Sequence, residues 1–268
     1  MLNSLDHRSG VLEAPSAAVP ALPRAVEVAL RPRWVVEALA LGAGLVVLGG
    51  VVGQLGYLVW PGFNSPTFSA ATNLVGEFNI PATYNALLLL GVSVLLWWIG
   101  RLSVQLADRS HRIWTGLAGV AFYLTLDEYF AIHERLIGPV RNLLHLNGYL
   151  YYAWVIPYGL LAIVLAVALG RFLLRLPPQT RNGMLLSGFL YVAGALGMEL
   201  LEAQITSLGT TSIQLAGQAQ SSQLAMTVLI AVEELLEMAA LVLLIATLLH
   251  FVQKFVPKAA LHLRLKDG

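Results

Sequence analysis

The chain has no cysteine. Disulfides, cysteine-ligated zinc, iron–sulfur clusters and thiol nucleophiles are therefore excluded. Charge is also scarce. Only 12% of residues are Asp, Glu, Lys or Arg, against about 25% in a soluble domain. No basic, aromatic-interleaved patch points to nucleic acid. Ser69, Ser207 and the other serines have no identifiable base partner, so a serine hydrolase has little support. There is no His-Glu-x-x-His run. The Glu-x-x-His element of di-iron bundles is missing as well, because residue 130, three before His133, is Phe.

What is present is apolar. Hydrophobic residues make up 57% of the 268, and the mean hydropathy is +0.73. Long uncharged runs of this kind mark an integral membrane protein. The sequence predicts an all-α, polytopic membrane helix bundle with six transmembrane helices, at about 34–60, 81–100, 113–137, 149–170, 183–203 and 224–252. A helix rises 1.5 Å per residue, so roughly 20 residues cross a hydrocarbon core. The third and sixth helices exceed that length and should tilt or protrude. Asn79 is placed to cap the second helix, with Pro81 in its first turn. Gly49-xxx-Gly53 offers a small-residue face for helix packing. Pro157 predicts a kink in the fourth helix.

Three regions follow. Residues 1–32 are Ala- and Pro-rich and read as a disordered cytoplasmic tail without signal-peptide character. Residues 33–253 hold the six helices, and 254–268 form a basic cytoplasmic tail. Arginine and lysine set the orientation. All of them except Arg135 and Arg141 fall in the tails or in the loops after the second and fourth helices. The positive-inside rule then puts both termini in the cytoplasm of a cell bounded by its inner (plasma) membrane. The bilayer is the first expected partner.

The acids follow the opposite pattern. Asp6, Glu13, Glu27, Glu37, Asp108 and Asp267 map to the cytoplasmic side. The other nine are Glu77, Asp127, Glu128, Glu134, Glu199, Glu202, Glu233, Glu234 and Glu237, and all map to the outer half. Ionisable groups at bilayer depth cost several kcal/mol each and are functional candidates by default. Glu199 and Glu202 are three apart, as are Glu234 and Glu237, so each pair shares a helical face. In an unbroken third helix Asp127 and Glu134 share a face, Glu128 and Arg135 share the adjacent one, and His133 points away from Asp127. The fourth helix brings no acid.

Nine carboxylates against two arginines and one or two histidines cannot all stay ionised in a dry interior. Either some hold protons, or cations bind, or water enters. Three readings result. The first is a divalent metal ion held by Glu77, Asp127, His133, Glu134, Glu199, Glu202, Glu233 and Glu237. That ion would serve membrane-embedded catalysis, with Glu128 or Glu234 as base, on a lipid or small molecule reached from the outer side. The second is a proton- or cation-coupled transporter, although the inner halves of these helices offer only hydroxyls such as Thr115, Tyr123, Ser187, Tyr191 and Thr247. The third is an accessory role, with the acidic turns in water and Arg135 and Arg141 paired with Glu128 and Glu134. Asn85 and its neighbouring asparagines read as helix-cap residues, and the uncharged stretch 205–222 as a flexible loop.

The absence of cysteine makes the orientation easy to test, because a single introduced cysteine reports without background. An impermeant maleimide added to intact cells should label Leu146→Cys and spare Arg109→Cys. Labelling confined to Arg109→Cys would reverse the topology.

Overall fold

The structure is a computed structural model that describes residues 32–60, 65–76, 78–211 and 216–255. The two expected tails fall almost wholly outside these residues, as does Glu77. Every described element is helical, and the elements belong to one compact unit, Leu30–Ala260. In order they are α1 (Pro32–Val59), α2 (Pro66–Ala71), α3 (Ile80–Gln105), α4 (His111–Phe130), a 3-10 turn (His133–Leu136), α5 (Ile137–Leu144), a 3-10 turn (Gly148–Leu150), α6 (Val155–Arg175), α7 (Pro178–Val192), a π-helical segment (Ala193–Met198), α8 (Glu199–Thr211) and α9 (Ala216–Phe255).

Among the described residues, five helices are long and apolar enough to cross a membrane: Pro32–Gly56, Ile80–Gln105, Val155–Arg175, the continuous run Pro178–Leu208, and Leu224–Lys254. Their outward faces are apolar too. Leu160, Ile163 and Val167 on α6 and Phe189 on α7 are largely exposed. Apolar exposure on this scale needs a non-aqueous surrounding.

Helix α9 runs through the middle of the bundle and packs against α1, α3 and α7, while α3 pairs with α4 along its length. The core holds Leu89, Val92, Ile99, Met238 and Leu248, with Trp114 wedged edge-on to Phe172 and tilted on Phe251. Two glycines let α7 approach α9. Any side chain at Gly183 would strike the Thr247 hydroxyl. A Cβ at Gly194 would lie 3.0 Å from Glu237 Cγ and 3.2 Å from the Glu233 carbonyl.

Several local expectations are met. Asn79 caps α3, its side-chain oxygen accepting from the Ala82 amide at 3.0 Å, with Pro81 in the first turn. The small face of α1 is also used, but by a different partner. Gly50 and Gly53 receive Leu74 and Thr72 from the turn around α2, and the Ser69 hydroxyl donates to the Gly53 carbonyl at 2.9 Å. That segment lies against the end of α1 instead of crossing to a new helix.

Other expectations fail. The third predicted helix does not reach residue 137. It stops at Phe130, where Ala131 takes a left-handed conformation with φ 47° and its amide caps the Asp127 carbonyl. Pro139 falls in the first turn of α5, where its missing donor is tolerated. Pro157 makes no kink, because α6 begins at Val155 and the proline falls in its first turn. The stretch 205–222 is helical at both ends, belonging to α8 and α9.

The close α7–α9 contact is testable with a matched pair. Gly194→Ala should cost about 1–3 kcal/mol of stability, the usual price of overpacking. Gly188→Ala on the same helix meets open space and should cost nothing. Unfolding in detergent by heat or SDS titration reads both.

Candidate functional site

The break after α4 builds the centre of the site. Once the chain turns at Ala131, His133 is carried back toward its own helix. Its Nδ1 lies 3.0 Å from Asp127 Oδ2. The expectation that His133 points away from Asp127 is thus overturned, for the stated reason that the helix does not continue. Asp127 is buried, and its other oxygen accepts a hydrogen bond from the Tyr158 hydroxyl at 2.6 Å. Because Tyr158 spends its one proton there, the 2.7 Å contact between the Tyr123 and Tyr158 oxygens has Tyr123 as donor. The His133 ring rests on Trp154, centroid to centroid 4.5 Å. Its Nε2 makes no hydrogen bond among the described residues.

Trp154 extends the site to α8. Its indole N–H donates to Glu199 Oε1 at 3.2 Å. The π-helical segment matters here: its wider turn adds a residue, which rotates the face that follows, and Glu199 and Glu202 come immediately after it. Such segments are frequent at functional sites.

A second cluster lies on the α3–α9 side. Asn85, fully buried, donates from Nδ2 to Glu128 Oε1 at 3.1 Å and to Glu237 Oε2 at 2.8 Å. Glu237 is buried and Glu128 half-buried. Tyr191 lies within electrostatic reach of both, and of Asp127. A third pair is Glu202 on α8 and Glu233 on α9, whose carboxyl groups hydrogen-bond to each other. A hydrogen bond between two carboxyls needs a proton on one of them. The buried oxygens without a hydrogen-bond partner among the described residues include Asn85 Oδ1, Glu199 Oε2 and Glu202 Oε1.

The nine outer acids thus part company. Asp127, Glu128, Glu199, Glu202, Glu233 and Glu237 are drawn into these clusters. Glu234 is half-buried on α9. Glu134 is exposed; the helix break cancels its shared face with Asp127, but it stays within electrostatic reach of His133 and Glu199. Among the described residues, no three His, Asp or Glu side chains form a group that could hold a metal ion. The arginines do not neutralise the acids either. Arg135 donates to the Phe130 carbonyl at 3.3 Å, and Arg141 lies over the Tyr151 ring at 4.2 Å. The expected pairing of these arginines with Glu128 and Glu134 is not seen.

Sequence reasoning missed three contributors. Asn85 reads as one of several cap residues, yet it is the bridge between two glutamates; its position inside an apolar run of a spanning helix was the available signal. Tyr158 and Trp154 carry no charge and no spacing signal that sets them apart in the sequence. They enter only because α6, which brings no acid, packs beside Asp127 and Glu199.

These features define a class: a helical bundle with five membrane-capable helices and a buried carboxyl–imidazole–amide network at one end. Residues 38–251 match the domain of unknown function DUF8692, and the chain belongs to that family. No curated protein and no solved structure matches it.

The amide bridge makes a sharp prediction. Asn85→Ala strands two carboxyls and should lower stability by about 1–3 kcal/mol for each group left unpartnered. Ser93→Ala, which loses a single hydroxyl bond to the Ala118 carbonyl, should cost clearly less in the same unfolding assay.

Proposed function

We propose a six-span protein of the inner (plasma) membrane, both termini cytoplasmic, with α4 as the sixth span. Its buried network is a membrane-embedded acid–base site reached from the outer side. The observation that carries this reading is the Asp127–His133 pair. Asp127 holds the Nδ1 side of the imidazole, which fixes the tautomer with a lone pair on Nε2. Tyr158 engages the other Asp127 oxygen, so the carboxylate is kept in place and does not compete for the proton. An imidazole held this way is a general base for water or a hydroxyl group. Glu199, which accepts from the Trp154 indole beside the His133 ring, is a candidate acid.

A second reading keeps the divalent ion. Glu199 Oε2 and Glu202 Oε1 are buried oxygens without partners, and His133 Nε2 is an open nitrogen backed by a carboxylate, the arrangement that metal-binding histidines use. These side chains are not gathered into a metal-holding group among the described residues, so an ion of the Mn, Fe or Zn type would have to draw them together on binding. Transport draws less support. Ser187 and Thr247, on the inner side, spend their hydroxyls on carbonyls of their own helices, so these two do not continue a polar path below the acids.

Diethyl pyrocarbonate tests the first reading, because it modifies unprotonated, accessible imidazole. His133 should be modified at Nε2, and Asp127→Asn should slow that reaction by about tenfold or more, as loss of the tautomer lock implies. Modification of His145 with none at His133 would refute it. Elemental analysis decides the second: stoichiometric metal, lost in Glu199→Gln/Glu202→Gln, would replace the metal-free base with a metal ligand. Proton flux in liposomes that disappears in Asp127→Asn would favour transport over both.

A further inference from the structure

A cleft of about 670 Å³ lies between α2 and the first two turns of α3. Ala70 and Ala71 form one wall, and Phe78, Ile80, Thr83 and Leu87 form the other. The lining is mostly apolar and belongs in part to a helix that can span the membrane. Its rim opens sideways from the bundle: Phe78, Ile80 and Leu87 are 65%, 52% and 59% exposed. An exposed apolar rim of this kind favours an apolar occupant over water. Two helical turns are too short to seat a partner helix, whose packing needs several turns of interdigitated ridges. A single flexible chain fits.

Two further features distinguish this cleft from a bare lipid-facing surface. Thr67 and Thr83 line it with hydroxyls that have no hydrogen-bond partner among the described residues, and both can donate to an ester carbonyl. Phe78 adopts φ 56°, a left-handed conformation that a bulky residue takes only under strain. Strain of this kind is retained where the surroundings enforce it. The conformation sets the Phe78 ring edge-on to Tyr129 at 5.4 Å and against Phe130 at 6.5 Å. Those two residues directly follow Asp127 and Glu128 at the end of α4, so the cleft wall runs into the end of the helix that carries the acid–base pair.

We propose that the cleft binds one acyl chain of a membrane phospholipid, its ester near Thr67 and Thr83, and that such a lipid is the substrate class of the site. The substrate part rests on the acid–base reading; the binding part does not.

The test uses the full chain in nanodiscs containing a phospholipid with a diazirine on one acyl chain. After irradiation, cross-linked peptides are mapped by mass spectrometry. The segment 66–87 should carry at least about fivefold more label than the exposed face of α6 around Val167, the difference expected when a cleft adds burial of one or two methylenes. Ala71→Trp or Thr83→Phe, each narrowing the cleft, should erase that excess. Asp127→Asn should leave it intact, which separates the cleft from the acid–base site. Equal labelling of the two surfaces in the unmodified protein overturns the proposal whatever the variants do. So does an excess that persists in a folded Ala71→Trp or Thr83→Phe protein.

Discussion

A carboxyl group removed from water needs a proton, a hydrogen-bond donor or a cation. That requirement organises this bundle. Asp127, Glu202 and Glu237 are all buried, and each is met by a group from a different helix: Tyr158 from α6, Glu233 from α9, and Asn85 from α3. The contacts are specific in a way that apolar packing is not. A leucine tolerates several neighbours of similar volume, whereas a buried carboxyl left with the wrong neighbour costs more than most packing errors. The helices must therefore meet in the register that supplies these partners.

Several otherwise unrelated features serve that register. Gly183 and Gly194 let α7 and its continuation lie close against α9, so that Glu202 can reach Glu233. The π-helical segment re-aims the chain just before Glu199. The turn at Ala131 folds His133 onto Asp127. The π-helical segment and the Ala131 turn depart from ideal α-helix geometry, and each lies within a few residues of an acid. Local irregularity near a site whose partners must be placed accurately is the expected trade between regular backbone and function.

The site is also one-sided. Polar side chains gather where α3 begins and α4 ends, while the other half of the bundle is closed by Leu, Ile, Val and the Trp114–Phe172–Phe251 cluster. The Ser187 and Thr247 hydroxyls in that half donate to carbonyls of their own helices. Such an arrangement suits chemistry performed on something that arrives and leaves by the same side.

The helical class, the apolar spans and the grouping of acids at one end were legible in the sequence. Each depends on composition, on local periodicity or on which side of an apolar run a charge falls, and these quantities need no knowledge of neighbours. The cap at Asn79 and Pro81 was legible for the same reason. The partners were not. Whether His133 meets Asp127 or turns away depends on one left-handed residue, Ala131. Whether Asn85 caps a helix or bridges Glu128 and Glu237 depends on how α3, α4 and α9 pack. Glu134 leaves the face it would share with Asp127 because the helix ends four residues before it. Tertiary structure decided these points, since the cost of a buried polar group is set by the atoms within about 3 Å of it, and those atoms come from segments far apart in the chain.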